Sequence, residues 1–204
     1  MNAASGAIRR AAFLDRDGVI NIDRGYVYRR EDFEFVPGVL DAAYRLHTMG
    51  FLLVVTSNQS GIGRGFYSEA QFEALTAWMR DKFLAAGAPL AGVYFCPHHP
   101  TEGLGKYRCA CDCRKPAPGM LIAAARDLGI DLTSSAMFGD KTSDLEAART
   151  AGVPLRMLLG TDAREVPVMP SAPGLASAAF RGLLEASADA ALLVPASAAR
   201  PVVG

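Results

Sequence analysis

Ala11-Ala12-Phe13-Leu14-Asp15-Arg16-Asp17-Gly18-Val19-Ile20-Asn21 is the stretch on which the reading of this chain turns. A short apolar run of this kind predicts a buried strand, and it stops abruptly at two carboxylates and a glycine. Side chains alternate across an extended strand, so Asp15 and Asp17 are expected on one face with Arg16 on the other. Gly18 then lets the chain turn sharply. Two close carboxylates repel unless one is protonated or a cation lies between them. The strand end therefore points to a metal-assisted site.

The rest of the chain repeats the strand-then-helix rhythm. Residues 21–36 show no clear period and read as a loop. Pro37 suits a first helical turn, and Val39, Leu40, Ala43, Leu46 and Met49 follow at helical spacing until Gly50 closes the helix. Residues 51–56 read as a second buried strand and residues 57–67 as a loop rich in Ser, Asn and Gly. Ser68 with Gln71 makes a capping-box signature for a helix reaching about residue 86. A third strand is expected at 93–96, a helix at 118–128, a strand at 135–139, a short helix at 143–151 and a last strand at 153–159. This alternation predicts an α/β fold, a three-layer sandwich around a mostly parallel, Rossmann-like sheet. Residues 8–160 would form that domain, and the insertions in it are too short for a large cap, residues 96–113 apart. Residues 161–204, rich in Ala, Pro and Ser, are expected as an extension that partly docks through residues 183–184 and 192–194 and is otherwise loose.

Composition narrows the function. The 204 residues carry 21 basic and 21 acidic side chains, a balance that argues against nucleic-acid or membrane-surface binding as the main role. No apolar run approaches the roughly 18 residues of a membrane span, and the early apolar stretch ends too soon for a signal peptide. A cytoplasmic, monomeric protein is expected.

In an open parallel sheet, sites gather beyond the carboxyl ends of the strands. Asp15, Asp17, Ser57 and Asp140 each follow a predicted strand and should converge. An isolated Asp-x-Asp-Gly also occurs in turns and calcium-type loops. Here it has companions: Thr56-Ser57-Asn58, Arg114-Lys115-Pro116 and Gly139-Asp140-Lys141-Thr142-Ser143-Asp144. Carboxylates, a hydroxyl and a lysine together suit phosphoryl transfer. An aspartate attacks phosphorus, a divalent cation offsets the repulsion between the anions, and the hydroxyl and lysine hold the phosphate oxygens.

With those residues in view, the chain resembles the haloacid dehalogenase superfamily of aspartate-nucleophile phosphatases. More narrowly it resembles the D-glycero-D-manno-heptose 1,7-bisphosphate 7-phosphatases, kin to the histidinol-phosphate phosphatase domain. The resemblance runs from about residue 12 to 160 through FLDRDGVIN, FEFVPGV, TSNQSGIGRG, CPHHP, CDCRKPAPGM and GDKTSDLEAA. It implies that Asp15 is the nucleophile and that Asp17 protonates the leaving oxygen, then activates water. Asp15, Asp140 and the backbone carbonyl of Asp17 would bind Mg²⁺, with Asp144 in support. Ser57, in place of a frequent threonine, and Lys115 would orient the phosphate. Substrate contacts map onto Asp23, Arg24, Gly25, Tyr26, Asn58, Gln59, Ser60, Arg114 and Lys141. The implied substrate is a small phosphorylated sugar, the heptose bisphosphate, cleaved at position 7 in the supply of activated heptose for cell-surface polysaccharide. A histidinol-phosphate phosphatase is the nearest alternative. A DNA 3′-phosphatase lacks support from the charge balance, and an inactive zinc-stabilised binding protein sits poorly with the intact Asp15, Asp17, Lys115 and Asp140.

All four cysteines fall between residues 96 and 113, and such a cluster in a reducing compartment is more often a metal site than a disulfide framework. Cys96-Pro97-His98 and Cys111-Asp112-Cys113 offer two pairs of ligands with 12 residues between them, enough to close a loop around one tetrahedral Zn²⁺. The resemblance assigns a structural zinc to Cys96, His98, Cys111 and Cys113. Cys109 is either a bystander thiol or a substitute ligand, and His99 either a loop residue or one facing the substrate. Gly61-Ile62-Gly63-Arg64-Gly65 superficially suggests a dinucleotide loop, but Phe66 and the long strand-to-helix connection exclude it. These glycines are expected to shape a mobile loop on the substrate side.

Overall fold

A computed structural model describes residues 9–159 of the chain. The expectations for residues 161–204 lie outside the described residues. Five strands form one sheet in the order β3-β2-β1-β4-β5, every neighbouring pair parallel. They are β1 Arg10–Leu14, β2 Phe51–Asn58, β3 Leu90–Cys96, β4 Ala136–Gly139 and β5 Leu155–Leu158.

The central strand is the apolar run before Asp15. Phe13 pairs with Val54 on one side and Met137 on the other. Alternate residues feed two separate cores, as the two-residue period of a strand requires. Ala12, Leu14, Leu53, Val55, Ala136 and Phe138 face one core. Ala11, Phe13, Val54 and Met137 face the other. A sheet covered on both sides needs continuous apolar runs rather than alternation, which is what residues 51–56 supply. Burying Phe13 completely contributes about 2–3 kcal/mol.

Helices α1 Val39–Thr48 and α3 Glu69–Ala85 cover the first face through Ala43, Leu46, Leu75, Met79 and Phe83. Helices α4 Gly119–Leu128 and α5 Thr142–Thr150 cover the second through Leu121, Ala124, Ala147 and Ala148. This is the three-layer α/β arrangement expected from the sequence. The capping box of α3 forms: Ser68 Oγ accepts from the Gln71 amide at 3.2 Å, and Gln71 Oε1 accepts from the Ser68 amide at 2.9 Å.

Two stretches differ from expectation. Strand β3 begins at Leu90, because Gly92 and a register shift opposite Leu53/Val54 interrupt its apolar pattern. Residues 57–67 are not a plain loop: β2 continues to Asn58, and α2 Ser60–Gly63 makes one helical turn. Glycine disfavours helix, but tertiary packing decides here. A Cβ on Gly61 would lie 2.2 Å from Tyr67 Cε1, and one on Gly63 2.3 Å from the Pro97 carbonyl. The glycines serve close packing: Gly61, Ile62 and Gly63 are all buried. The mobile loop expected there is a packed turn, and it does border the cleft through Gln59, Ser60 and Tyr67.

Candidate active site

Strand β1 delivers Asp15 to the carboxyl edge of the sheet, where its amide donates to the Phe138 carbonyl at 2.9 Å. The regular strand ends at Leu14, so the alternation assumed for Asp15, Arg16 and Asp17 no longer holds. Both aspartates do line one cleft. Arg16, however, does not face away from Asp17. Its buried guanidinium grips the Asp17 carboxylate through Nε and Nη2 at 2.8–3.2 Å and donates to the Val27 carbonyl at 2.7 Å. An arginine adjoining a buried strand must find a partner. Arg16 carries that signal in the sequence.

Lys115 lies at the centre of the site. Its ammonium donates to Asp15 Oδ1 at 2.9 Å and to the Thr56 carbonyl at 2.7 Å, and pairs with Asp144 Oδ1 at 2.6 Å. Burial works against this charge, but the Asp15 and Asp144 carboxylates outweigh it and hold the lysine pKa above its usual value. The Asn58 side chain fixes Lys115 from behind. Its amide donates to the Lys115 carbonyl and its Oδ1 accepts from the Lys115 amide, both at 3.0 Å.

Oxygens of Asp15, Asp140 and Asp144 all lie within 4.8 Å of one another. Asp140 Oδ1 is buried without a hydrogen-bond partner. Burial, followed by the Asp15 carboxylate, pushes the Asp140 carboxyl up to about 7. A cluster of hard oxygen donors with an orphaned, buried acceptor fits a divalent cation such as Mg²⁺. The Asp17 carboxylate lies outside this group, occupied by Arg16, Asn21 and Gln59. That leaves its backbone carbonyl as the donor the resemblance assigns. Gly18 sits in the left-handed region (φ +92°), and a Cβ there would lie 2.2 Å from Asp140 Oδ2. Gly18→Ala should therefore displace Asp140 and strain the turn by more than about 1 kcal/mol. The expected result is a lower Tm and a higher Mg²⁺ requirement for activity; wild-type values for both would contradict this packing.

The cleft above these groups has a volume of about 650 Å³. Asp23, Gly25, Tyr26, Ser57, Asn58, Gln59, Ser60, Arg114 and Lys141 line it. Arg24 does not. Its exposed side chain pairs with Glu34, since its neighbours Asp23 and Gly25 are tied in a tight turn by a 2.9 Å hydrogen bond. Lys141 bridges Asp23 at 3.2 Å and Asp140 at 3.6 Å, linking the cleft wall to the acidic cluster. Tyr67 and Ser143 also line the cleft. Tyr67 stands outside the quoted motifs, whereas Ser143 lies within GDKTSDLEAA without having been singled out there.

The second cluster joins Cys96, His98, Cys111 and Cys113. The Cys96, Cys111 and Cys113 sulfurs are 3.0–3.5 Å apart, and His98 Nδ1 is 3.3 Å from Cys113 and 3.6 Å from Cys96. A tetrahedral ion with bonds of about 2.0–2.3 Å separates its ligands by roughly 3.5–3.8 Å, so the residues present fit one ion. Burial, then the neighbouring Cys113, pushes the Cys96 thiol up. Cys109 is outside the group. His99 is not among the residues that line the cleft: its Nδ1 accepts from the Glu102 amide at 3.0 Å and closes a turn. Arg114 donates to the His98 carbonyl at 3.2 Å, which ties the metal loop to the cleft.

Comparison with known proteins places this geometry. A HAD-hydrolase-like family model matches residues 112–166. The D-glycero-β-D-manno-heptose-1,7-bisphosphate 7-phosphatase of Vibrio cholerae is 51% identical over 151 residues, covering 74% of this chain and 81% of the relative. The enzyme of the same name from Escherichia coli K12 is 47% identical over 175 residues, covering 86% and 90%. The chain belongs to the heptose bisphosphate phosphatase family of the haloacid dehalogenase superfamily. The solved D,D-heptose 1,7-bisphosphate phosphatase of B. bronchiseptica, complexed with magnesium and phosphate, agrees in fold. Its TM-score is 0.69 at 31% identity, over 86% of this chain and 99% of that one. As a haloacid dehalogenase phosphatase, the protein is a phosphoric monoester hydrolase of the aspartate-nucleophile type.

Proposed function

We propose that this phosphatase removes the 7-phosphate of D-glycero-β-D-manno-heptose 1,7-bisphosphate, in the supply of activated heptose for lipopolysaccharide. One observation carries the reading: a lysine held between Asp15 and Asp144 closes the floor of a cleft whose walls bear Arg114 and Lys141. Such a site takes one phosphate at its floor and has cations left for a second at its mouth. The 7-phosphate is a primary ester at the end of a carbon chain, so it reaches a buried nucleophile more readily than a phosphate on the ring. The names of the relatives at about half identity supply the sugar, the anomer and the position.

In this reading an Asp15 oxygen attacks phosphorus while Lys115 and Ser57 hold the phosphoryl oxygens. Asp17 gives its proton to the departing sugar oxygen as the ester bond breaks. Asp17 then takes a proton from water, whose oxygen attacks the phosphorus of the aspartyl phosphate, and Asp15 is released with inorganic phosphate. Mg²⁺, held by Asp15, Asp140 and the Asp17 carbonyl, would supply the positive charge that lets two anions approach. Zn²⁺ on Cys96, His98, Cys111 and Cys113 would be structural, since four protein ligands leave no open position. Among the described residues no helix is long and apolar enough to cross a membrane. The proposed setting is the cytoplasm, where the loop thiols stay reduced, with the protein acting as a monomer.

The test is phosphate release from both heptose bisphosphate anomers and from histidinol phosphate. A preference for the β anomer of about a hundredfold in kcat/KM, near 2.7 kcal/mol, is expected. Faster turnover of histidinol phosphate would overturn the substrate assignment.

A further inference from the structure

Gln59 was expected among the substrate contacts, yet it is almost wholly buried, with 1% of its surface exposed. Each polar group of its side chain already has a protein partner. Nε2 donates to Asp17 Oδ2 at 2.9 Å and to Ser57 Oγ at 2.6 Å, while Oε1 accepts from the Tyr67 hydroxyl at 2.5 Å. A primary amide has two donor hydrogens, so donating to a sugar oxygen would break one of these contacts, and the side chain leaves almost no surface for a sugar to reach Oε1.

We infer that Gln59 is a positioning residue, which ties the hydroxyl that holds the phosphate to the carboxylate that moves the proton, rather than a contact to the sugar. Two consequences for the chemistry follow. First, Ser57 Oγ accepts from Gln59, which leaves the serine O–H to donate to a phosphoryl oxygen. With no donor on that side, the hydroxyl could turn its hydrogen towards Asp17 instead. Second, Asp17 is held from three directions, by Arg16, Asn21 and Gln59, and only Gln59 also touches the phosphate-binding group. Tyr67 settles which end of the amide faces them: by donating to Oε1 it keeps Nε2 towards Asp17 and Ser57. Tyr67 is itself fixed by stacking on Tyr28, ring centroids 5.0 Å apart, and by Gly61, where no Cβ fits. Gln59 enters this arrangement from the end of β2, its amide donating to the Cys96 carbonyl at 2.8 Å.

The inference rests on phosphoryl transfer at Asp15 and is independent of which sugar is bound. Gln59→Met keeps the side-chain length and removes the amide. Its kinetics are to be compared on heptose bisphosphate and on p-nitrophenyl phosphate, which has the ester but no sugar. The expected result is a fall in kcat on the order of 10–100-fold, by the same factor on both esters. KM should move by less than about threefold. Combined with Ser57→Ala, the loss should be smaller than the product of the single losses, because the two residues act as a unit. A KM rise confined to the heptose ester with kcat intact would make Gln59 a sugar contact and overturn the inference. So would an unchanged kcat on both esters, or losses that multiply. If Gln59→Met does not fold, Gln59→Glu retains the length and the acceptor for Tyr67 and is expected to give the same kcat signature. Wild-type protein that hydrolyses p-nitrophenyl phosphate but not heptose bisphosphate would refute the substrate alone, and the Gln59 comparison would still be decided on the generic ester.

Discussion

Asp15→Asn is expected to lower phosphate release by about 10⁴-fold or more while leaving the fold intact. The carboxamide is almost isosteric but too weak a nucleophile to take up a phosphoryl group. Stability should hold for local reasons. The asparagine oxygen can still accept from Lys115 Nζ, now 2.9 Å from Asp15 Oδ1, and Lys115 retains Asp144 and the Thr56 carbonyl. Removing one of three clustered carboxylates also relieves the repulsion that, after burial, pushes the Asp140 carboxyl up to about 7. Steady-state kinetics beside a thermal melt check both halves. Turnover within tenfold of wild type would remove Asp15 from the chemistry.

The second large effect concerns the metal loop. Cys96→Ser should abolish stoichiometric zinc and destabilise the protein by at least about 3 kcal/mol, because loss of a structural metal belongs to the few mechanisms with effects of that size. For a domain of this size that corresponds to a fall in Tm of roughly 6–12 °C. Activity should fall with it, and the structure shows two routes. Cys113 is followed directly by Arg114 and Lys115, so an ion held by the cluster would anchor the backbone that presents both cations. Cys96 pairs in register with Asn58, whose side chain clasps the Lys115 backbone. Metal analysis, a melt and kcat/KM on the variant measure the effect. A chelated or Cys96→Ser protein with unchanged Tm and activity would show that the cluster is dispensable.

Much of this was legible in the chain because the informative residues follow elements with strong patterns. Asp15 follows four buried residues of the central strand, and Asp140 follows β4. The rule that sites gather at carboxyl ends of parallel strands was enough to bring them together. The spacing of the pairs Cys96/His98 and Cys111/Cys113 foreshadowed that these four side chains lie together. What escaped depended on side-chain direction after regular structure ends. Arg16 was assigned to the far face on a strand period that stops two residues earlier. Asn58 and Gln59 line the cleft, and nothing in the sequence signals that their amides are also engaged by Lys115, Asp17, Ser57 and Tyr67. Arg24 stands beside cleft residues in sequence and pairs outward with Glu34. An amide or guanidinium in a loop has no period to orient it, so only its partners decide where it points.

The most direct test of the central claim is to trap the phosphorylated enzyme. Acid quench during turnover, followed by proteolysis and mass analysis, should show one phosphoryl group on the peptide that contains Asp15, fading as substrate is exhausted. Rapid substrate consumption with no phosphoryl group on that peptide at any time would contradict nucleophilic attack by Asp15.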